Sequence, residues 1–175
     1  GNSVVTATAN MGEPELRPEE VPVKLPSPPA NMVGKAVVDY PFDMDGVSIK
    51  LTFVSMGNPH AVAFLDEPVE RYPLHIVGPK VEHHPMFPRR INFEIVNILN
   101  GSQLEARVWE RGSGETMACG SGASAIAVAA QLIGYCQGPV DIKFPGGTLN
   151  VHWNDDGQVY LKGPAVEVFE GEWEG

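Results

Sequence analysis

The sequence has little cysteine, little positive charge and no long apolar run, and each shortage argues against a class of protein. Two cysteines among 175 residues cannot supply a disulfide framework, so we expect a reducing, cytoplasmic setting. The chain has 12 Lys and Arg residues but 22 Asp and Glu residues, and the resulting net charge of -10 argues against nucleic acid or membrane as a partner. No apolar run reaches the roughly 20 residues of a membrane-spanning helix. Residues 1–10 also lack the pattern of a signal peptide.

The composition that remains is that of a globular protein. Hydrophobic residues make up 43% of the chain and charged residues 19%, which is enough apolar side chain for a real core. We therefore expect residues 1–175 to form a single domain. Six prolines between residues 13 and 31 exclude a regular helix or central strand, and they predict an extended surface loop there.

Most of the chain has the alternating apolar pattern of short strands separated by turn residues. The clearest signal is Asn100-Gly101, a hairpin turn between the predicted strands at residues 91–99 and 104–110. Short helical pieces are predicted at residues 74–79 and 81–85. The other predicted strands are residues 4–9, 36–40, 47–54, 61–65, 140–144, 149–153, 159–163 and 166–171.

One longer helix is strongly predicted after residue 120. Ser121 is the predicted N-cap, and Gly134 stands where a helix C-terminus favours glycine. Residues 123–130 are almost wholly apolar, and a helix that is apolar on all sides must be buried. A curved, mostly antiparallel sheet or barrel wrapped around this central helix accommodates both patterns, so the predicted fold class is α+β.

Cys119 lies in a glycine-rich loop immediately before this helix. Free backbone N–H groups and the positive end of the helix dipole favour a thiolate there, so the position predicts a lowered thiol pKa. The same groups would hold a carboxylate beside the sulfur. Alternatively, Cys119 is a small buried hydrophobe and the glycines serve only the turn. The residues alone leave both interpretations open.

Polar residues interrupt the strand pattern at three further places. Asn58 is held out of the helical region by the following proline and could be aimed at a ligand, or it could simply start a turn. His60 is ambiguous in the same way, because a histidine bonded to a backbone carbonyl would look identical. Asn92 stands at a strand start and Glu110-Arg111 at a strand end, where turn residues and solvated ion pairs are common.

A metal site is not expected. His83-His84 resembles a pair of metal ligands, but adjacent side chains on a strand point to opposite faces. No third ligand follows with a matching spacing.

Two rival classes of function fit parts of the pattern. Residues 120–125 match the relaxed Gly-x-Gly-x-x-Ala fingerprint of a dinucleotide-binding module. That motif needs a strand that runs straight into the first glycine and an acid at the end of the next strand. Asp141 does not fit this pattern, because it stands at the beginning of the next predicted strand, 140–144. The second rival is a cysteine hydrolase that uses Cys119 with His60.

Taken together, these segments resemble the diaminopimelate epimerase family of cofactor-independent amino-acid epimerases. The resemblance covers nearly the whole chain, and many separate motifs follow in the right order. They are Met-Gly-Glu-Pro at 11–14, Ser-Met-Gly-Asn-Pro-His at 55–60, the segments 78–79, 83–88 and 90–92, Glu-Arg-Gly at 110–112, residues 114–122, Pro-Gly-Gly-Thr-Leu at 145–149, Gly-Pro-Ala at 163–165, and residues 168–171.

The resemblance implies a two-part enzyme of which this chain is the C-terminal half. Members have two similar halves facing across a cleft, and each half supplies one catalytic cysteine. The Cys-Gly-Asn-Gly motif of the N-terminal half does not occur here, so that half is an expected partner and the chain alone is expected to be inactive. Cys136 cannot replace it, because this cysteine lies just past the predicted helix C-terminus. Whether the protein forms a homodimer stays open.

The resemblance also implies the reaction and its residues. The family interconverts LL- and meso-diaminopimelate by two-thiol proton transfer without a cofactor, in lysine and cell-wall precursor synthesis. Cys119 would be one of the two acid–base thiols, and His60 and Glu110 would help to set the protonation of the two cysteines. The substrate-binding residues would be Asn58, Asn92, Glu110, Arg111, Gly120 and Ser121, of which Gly120 and Ser121 would hold the α-carboxylate through their N–H groups.

Overall fold

The computed structural model describes residues 5–26, 29 and 31–173. Within these residues, twelve strands and two helices follow one another along the chain. They are β1 (Thr6–Gly12), β2 (Met32–Val33), β3 (Ala36–Val37), β4 (Tyr40–Met44), β5 (Val47–Ser55), β6 (Pro59–Phe64), α1 (Leu74–Glu82), β7 (Asn92–Asn100), β8 (Gln103–Glu110), β9 (Gly114–Thr116), α2 (Gly120–Ile133), β10 (Val140–Phe144), β11 (Gly147–Trp153) and β12 (Val159–Pro164).

Ten of the described strands form a single mixed sheet. Its order is β1-β12-β11-β10-β8-β7-β6-β5-β4, and β9 pairs with β8 off this path. Neighbours are antiparallel except for the pairs β8–β10 and β6–β7. The short strands β2 and β3 pair only with each other. The predicted α+β class with a mostly antiparallel sheet is confirmed.

Helix α2 lies inside the curve of this sheet. It contacts β5, β6 and β7 from one part of the sheet and β11 and β12 from the other. Every residue from Gly122 to Ala130 is buried, as the apolar pattern requires. Gly134 ends the helix in the left-handed conformation with φ of 89°, so the predicted C-terminus is confirmed. The predicted N-cap is wrong, because Cys119 and not Ser121 occupies that position.

The outer face of the sheet carries a second hydrophobic core. Strand β6 shows the alternation, because Val62 packs in the core around α2 while Ala61 and Ala63 pack in the outer core. Helix α1 covers part of the outer face. Val21 and Val23, from the proline-rich segment, are buried there too, so the prediction of a mere surface loop at 13–31 is wrong in this part. Residues 27, 28 and 30 of that segment lie outside the described residues.

Three predicted elements differ from the structure. The two predicted helical pieces are joined in one helix, α1, which ends at Glu82, so residues 83–85 are not helical. The helix tolerates Pro79 because the single lost hydrogen bond is offset by the packing of its buried side chains. The predicted strand at 36–40 is interrupted at Asp39, whose φ is 48°, so that β3 and β4 are separate. Residues 166–171 have a strand-like pattern but pair with no described segment, and Val168 and Phe169 are both 82% exposed. An unpaired segment gains no ladder hydrogen bonds and therefore forms no strand.

The first predicted strand, at 4–9, begins at Thr6 and continues to Gly12; Val4 lies outside the described residues. Strands β4 and β5 pair in antiparallel register across a turn at Asp45-Gly46. Neither described helix is long and apolar enough to cross a membrane.

Gly78 of α1 is the position where packing leaves least room. A Cβ there would lie 2.6 Å from Cγ of Trp109, whose indole nitrogen donates a 2.7 Å hydrogen bond to Glu82. Alanine favours the helix by about 1 kcal/mol over glycine. Overpacking against an anchored indole typically costs about 1–3 kcal/mol. The clash therefore outweighs the gain in helix propensity.

We expect Gly78→Ala to lower the free energy of unfolding by about 1–2 kcal/mol, measured by urea denaturation. Gly101→Ala is the matched control, because a Cβ at Gly101 has no atom within 4 Å. An unchanged or raised stability in Gly78→Ala, with Gly101→Ala also unchanged, would show that the indole yields freely.

Candidate active site

Cys119 is held at the N-terminus of α2 by the backbone around it. The loop that leads to it is fixed by a 2.7 Å hydrogen bond from the Gly146 N–H to the Met117 carbonyl oxygen. As N-cap, Cys119 has extended backbone angles, and its Sγ accepts the Gly122 N–H at 3.3 Å. The Ser121 hydroxyl lies 3.5 Å from the same sulfur. The side chain is 8% exposed, so the sulfur is close to the surface but mostly enclosed.

Gly122 brings the thiol close to a buried carboxylate. A Cβ at this position would lie 3.3 Å from Sγ of Cys119 and 3.0 Å from Oε1 of Glu94. A side chain would therefore force these groups away from the helix start. The second glycine of the Gly-Ser-Gly sequence is needed for this close approach and not for a turn, since its φ is helical.

The pKa of Cys119 is raised, and the expectation of a lowered pKa is wrong. Burial is the main cause, and the negative charges of Glu94 and Glu110 raise the pKa further. Hydrogen bonds from Ser121 and from the Gly122 N–H oppose this shift by favouring the thiolate. The helix-start amides therefore act as predicted, but on a sulfur that is shielded from water. Burial also raises the pKa of Cys136.

A chain of hydrogen bonds connects the sulfur to the core of the sheet. The Asn58 amide Nδ2 donates to Ser121 Oγ at 3.2 Å, and Asn58 Oδ1 lies 3.0 Å from Nε2 of His60. The other ring nitrogen of His60, Nδ1, lies 2.6 Å from Oε1 of Glu94. Both His60 and Glu94 are completely buried. The chain thus runs from Glu94 through His60, Asn58 and Ser121 to Cys119.

Glu94 is a residue of the candidate site that none of the sequence motifs indicated. Burial raises its pKa, and the charge of Glu110 adds to the shift, while His60 opposes it. Its second oxygen, Oε2, has no hydrogen-bond partner among the described residues. The available signal was a single carboxylate within the apolar sequence Phe-Glu-Ile-Val at 93–96. Because strand side chains alternate, this acid shares a face with Asn92.

Asn92 connects two predicted site segments. Its Nδ2 donates to the Pro59 carbonyl oxygen at 3.0 Å, and its Oδ1 accepts the Arg111 backbone N–H at 2.8 Å. The side chain is only 3% exposed. Asn92 therefore fixes the start of β6 relative to Arg111. Its substrate-binding role remains a prediction.

Glu110 and Arg111 stand at the end of β8 on the rim of the site. Glu110 accepts a 2.5 Å hydrogen bond from the Thr116 hydroxyl of β9. The exposed Arg111 guanidinium donates to the Arg89 carbonyl oxygen at 2.9 Å. Glu82, which no sequence motif indicated, is a buried acid whose Oε1 accepts the Gly112 N–H at 2.9 Å and so holds the loop after Arg111.

A polar cavity of about 290 Å³ opens beside these groups. Arg89 and Arg111 line it together with one acid, Glu20, so its lining has a net positive charge, which suits a carboxylate-bearing ligand. A larger cavity, of about 650 Å³, is lined by residues such as Phe64, Asn97 and Tyr135 and contains none of the predicted site residues. The smaller cavity is lined by Glu20, Pro22, Ser55, Gly57, Pro59, Arg89 and Arg111.

The arrangement argues against both rival functions. His60 does not contact Cys119, because Asn58 and Ser121 stand between them, so the pair does not form the hydrogen-bonded dyad of a cysteine hydrolase. Strands β8 and β10 are parallel neighbours on either side of α2 in the chain, but β8 ends at Glu110, and β9 lies between it and Gly120. The strand that runs straight into the first glycine of a dinucleotide-binding module is therefore missing among the described residues. His83 and His84 contact different partners, the Pro79 carbonyl oxygen and the Phe42 ring.

Solved structures share this fold. A hydroxyproline epimerase from Agrobacterium vitis superposes with a TM-score of 0.60 at 12% identity, covering 91% of this chain and 50% of that chain. A protein of Pseudomonas aeruginosa described as a predicted epimerase gives a TM-score of 0.55 at 15% identity, covering 93% of this chain and 57% of that chain. At these identities the likeness concerns the fold alone.

Sequence comparison is more specific. Diaminopimelate epimerase of Acetivibrio thermocellus is 48% identical over 164 residues, which are 93% of this chain and 56% of the relative. Diaminopimelate epimerase of Moorella thermoacetica is 45% identical over 174 residues, 99% of this chain and 60% of the relative. The chain thus spans somewhat less than two thirds of the length of these curated relatives. The family model described as diaminopimelate epimerase matches residues 52–168, and the chain therefore belongs to the diaminopimelate epimerase family.

Proposed function

We propose that this chain is one half of an amino-acid epimerase that interconverts LL- and meso-diaminopimelate. The observation that carries the proposal is the position of Cys119, a thiol at a helix N-terminus whose sulfur accepts one backbone hydrogen bond and lies beside a hydroxyl. The names of the relatives support the substrate. In this proposal the second thiol lies in a region that the relatives' greater length provides, and the reaction belongs to lysine and cell-wall precursor synthesis in the cytoplasm.

The chemistry needs one proton acceptor and one proton donor on opposite faces of the α-carbon. A thiolate removes the α-proton, and a thiol on the other face delivers its own proton to the carbanion. The product has the inverted configuration, and the two sulfurs have exchanged protonation states. Because its pKa is raised, Cys119 carries its proton at neutral pH in this chain and is suited to the donor step. The reverse reaction uses it as the base.

The helix start supplies the binding site for the α-carboxylate. The N–H groups of Gly122 and Ala123 already bond to Cys119, whereas those of Gly120 and Ser121 are the remaining donors of the first turn. Two N–H groups at a positive helix end fit a carboxylate, and they also stabilise the charge that moves onto it in the transition state. Arg111, exposed at the cavity, is the cation for a carboxylate of the substrate.

We expect the chain by itself not to invert diaminopimelate, because one thiol cannot serve both faces of the α-carbon. The measurement is chiral chromatography of LL-diaminopimelate after long incubation, with Cys119→Ser as the control for contaminating enzyme. Inversion by the parent chain that disappears in Cys119→Ser would show that a second thiol is not needed, and would refute the two-half proposal.

The proposed roles separate kinetically in a chimera that joins this chain to the part of the Acetivibrio thermocellus relative it does not match. In that protein, Cys119→Ser should lower kcat by about 10²- to 10⁴-fold, since serine is a poor acid–base group for a carbon acid. Substrate affinity should hardly change, because the shape of the helix start is kept. Arg111→Ala should instead weaken binding by about 10- to 100-fold through loss of a charged hydrogen-bond donor.

Both constants should be measured separately, with kcat from inversion and Kd from calorimetry. If Cys119→Ser turns over near the parent rate, the thiol mechanism is wrong. If its affinity falls as far as that of Arg111→Ala, Cys119 belongs to the binding pocket and not to the proton-transfer pair.

A further inference from the structure

The hydrogen-bond chain behind Cys119 has a direction that can be derived from its donors and acceptors. The orientation of the Asn58 amide fixes this direction, because its Nδ2 donates to Ser121 Oγ and its Oδ1 therefore faces His60. A carbonyl oxygen only accepts, so Nε2 of His60 must carry a hydrogen. The Ser121 oxygen, already accepting from Asn58, keeps its own hydrogen free to donate to Sγ of Cys119 at 3.5 Å.

The proton on Nε2 restricts the other end of the chain. Nδ1 of His60 and Oε1 of Glu94 are 2.6 Å apart and must share one hydrogen. Two arrangements satisfy this: an imidazolium paired with a carboxylate, or a neutral imidazole accepting from a protonated carboxyl. Both give a pair with no net charge. The alternative, an ionised Glu94 beside an imidazole protonated only on Nδ1, would leave Nε2 unable to donate and would reverse the chain.

Burial favours the uncharged pair. His60 and Glu94 have no solvent exposure, and Oε2 of Glu94 has no hydrogen-bond partner among the described residues. A net negative charge there would be poorly compensated and therefore costly. The other titratable groups facing Glu94 are Glu110 of β8 and Cys119 at the start of α2, and the charge of either would raise that cost. The pKa of Glu94 is accordingly raised.

We propose that Glu94 is a positioning residue that, by sharing one proton with His60, directs the hydrogen bonds of Asn58 and Ser121 towards the Cys119 sulfur. The proposal deepens the proposed function, since it explains how a buried thiol can form the thiolate that proton transfer requires. Glu94 does not touch the sulfur's proton. It acts through three intervening side chains, and the last of them, Ser121, supplies the second donor to Sγ beside the Gly122 N–H.

The test is the sign of the shift that Glu94→Gln produces in the Cys119 pKa. A glutamine can donate to Nδ1 or accept from it, so the direction of the chain is no longer enforced and Ser121 donates to the sulfur only part of the time. We expect the Cys119 pKa to rise, and alkylation by iodoacetamide below that pKa to slow by about two- to ten-fold, the worth of one hydrogen bond. Rates at each cysteine are followed by mass spectrometry across pH.

The opposite sign would identify a different role. The carboxylate of Glu94 by itself raises the Cys119 pKa. If the proton shared with His60 did not compensate that charge, its removal in Glu94→Gln would lower the Cys119 pKa. A lowered or an unchanged pKa would therefore overturn the proposal. Cys136 is the internal control, because it is buried and takes no part in the hydrogen bonds from Glu94 to Cys119. It would react faster only if the variant unfolded globally. Glu105→Gln, which removes a carboxylate paired with Lys143 on the same sheet, controls for net charge.

A double-mutant cycle tests whether Glu94 acts through Ser121. Ser121→Ala should raise the Cys119 pKa as Glu94→Gln does, and the double variant should show no further rise. Additive shifts would mean that Glu94 reaches the sulfur by another route, and would overturn the proposal. If Glu94→Gln does not fold, nitrogen-15 NMR of the unmodified protein can measure whether Nε2 of His60 is protonated. An unprotonated Nε2 would contradict the proposal directly. These measurements need no turnover, so they can fail while the Cys119→Ser result upholds the proposed function.

Discussion

The burial of α2 inside one curved sheet is the constraint on which the fold and the site depend. The helix is made of small and branched apolar residues from Gly122 to Ala130, so strands can approach it closely from both parts of the sheet. Its N-terminus must then end among strand residues. The polar groups that form hydrogen bonds at this helix end are also the ones that form the site, because backbone N–H groups without a partner inside a core would be costly.

The site is accordingly a polar region at one end of an apolar core. Val62 and Val96 pack against α2 along the same strand faces that place His60 and Glu94 beneath its first turn. Such a buried pair survives only if it is well hydrogen-bonded and close to neutral. Asn92 and one oxygen of Glu82 are hydrogen-bonded to backbone groups of the adjacent loops, so the rim around Arg111 is held from beneath. Rigid support of this kind keeps catalytic groups in a fixed geometry.

The pKa of Cys119 shows how tertiary structure can reverse a local expectation. A helix N-terminus lowers a thiol pKa when the sulfur remains in water. Here the same amides act on a sulfur that is mostly enclosed and faces two carboxylates, and desolvation is the larger effect. The two hydrogen bonds to Sγ therefore moderate a raised pKa, and the protonation of this cysteine depends on the whole neighbourhood of the helix start.

Much of the fold could be predicted from the sequence, because periodicity and turn chemistry are local. The pattern of residues 123–130 required a buried helix, the Asn100-Gly101 turn specified a hairpin, and the motif around Cys119 identified the family. Prediction was wrong where the outcome depended on distant partners. Val21 is buried in the outer hydrophobic core by residues distant in the sequence, and the segment 166–171 has the pattern of a strand but no described neighbour to pair with.

The candidate site divides in the same way. The residue types and loop positions of Asn58, His60 and Cys119 were visible in the sequence, since reactive side chains beside glycine and proline carry a local signal. Glu94 was not, because it looks like an isolated acid until the parallel pairing of β6 with β7 places it 2.6 Å from His60. The sequence by itself determined which chemical groups are present and which family they belong to. Only the tertiary structure decided which groups share a proton and whether a thiol is held in water or away from it, because both depend on burial and on contacts between residues far apart in the chain.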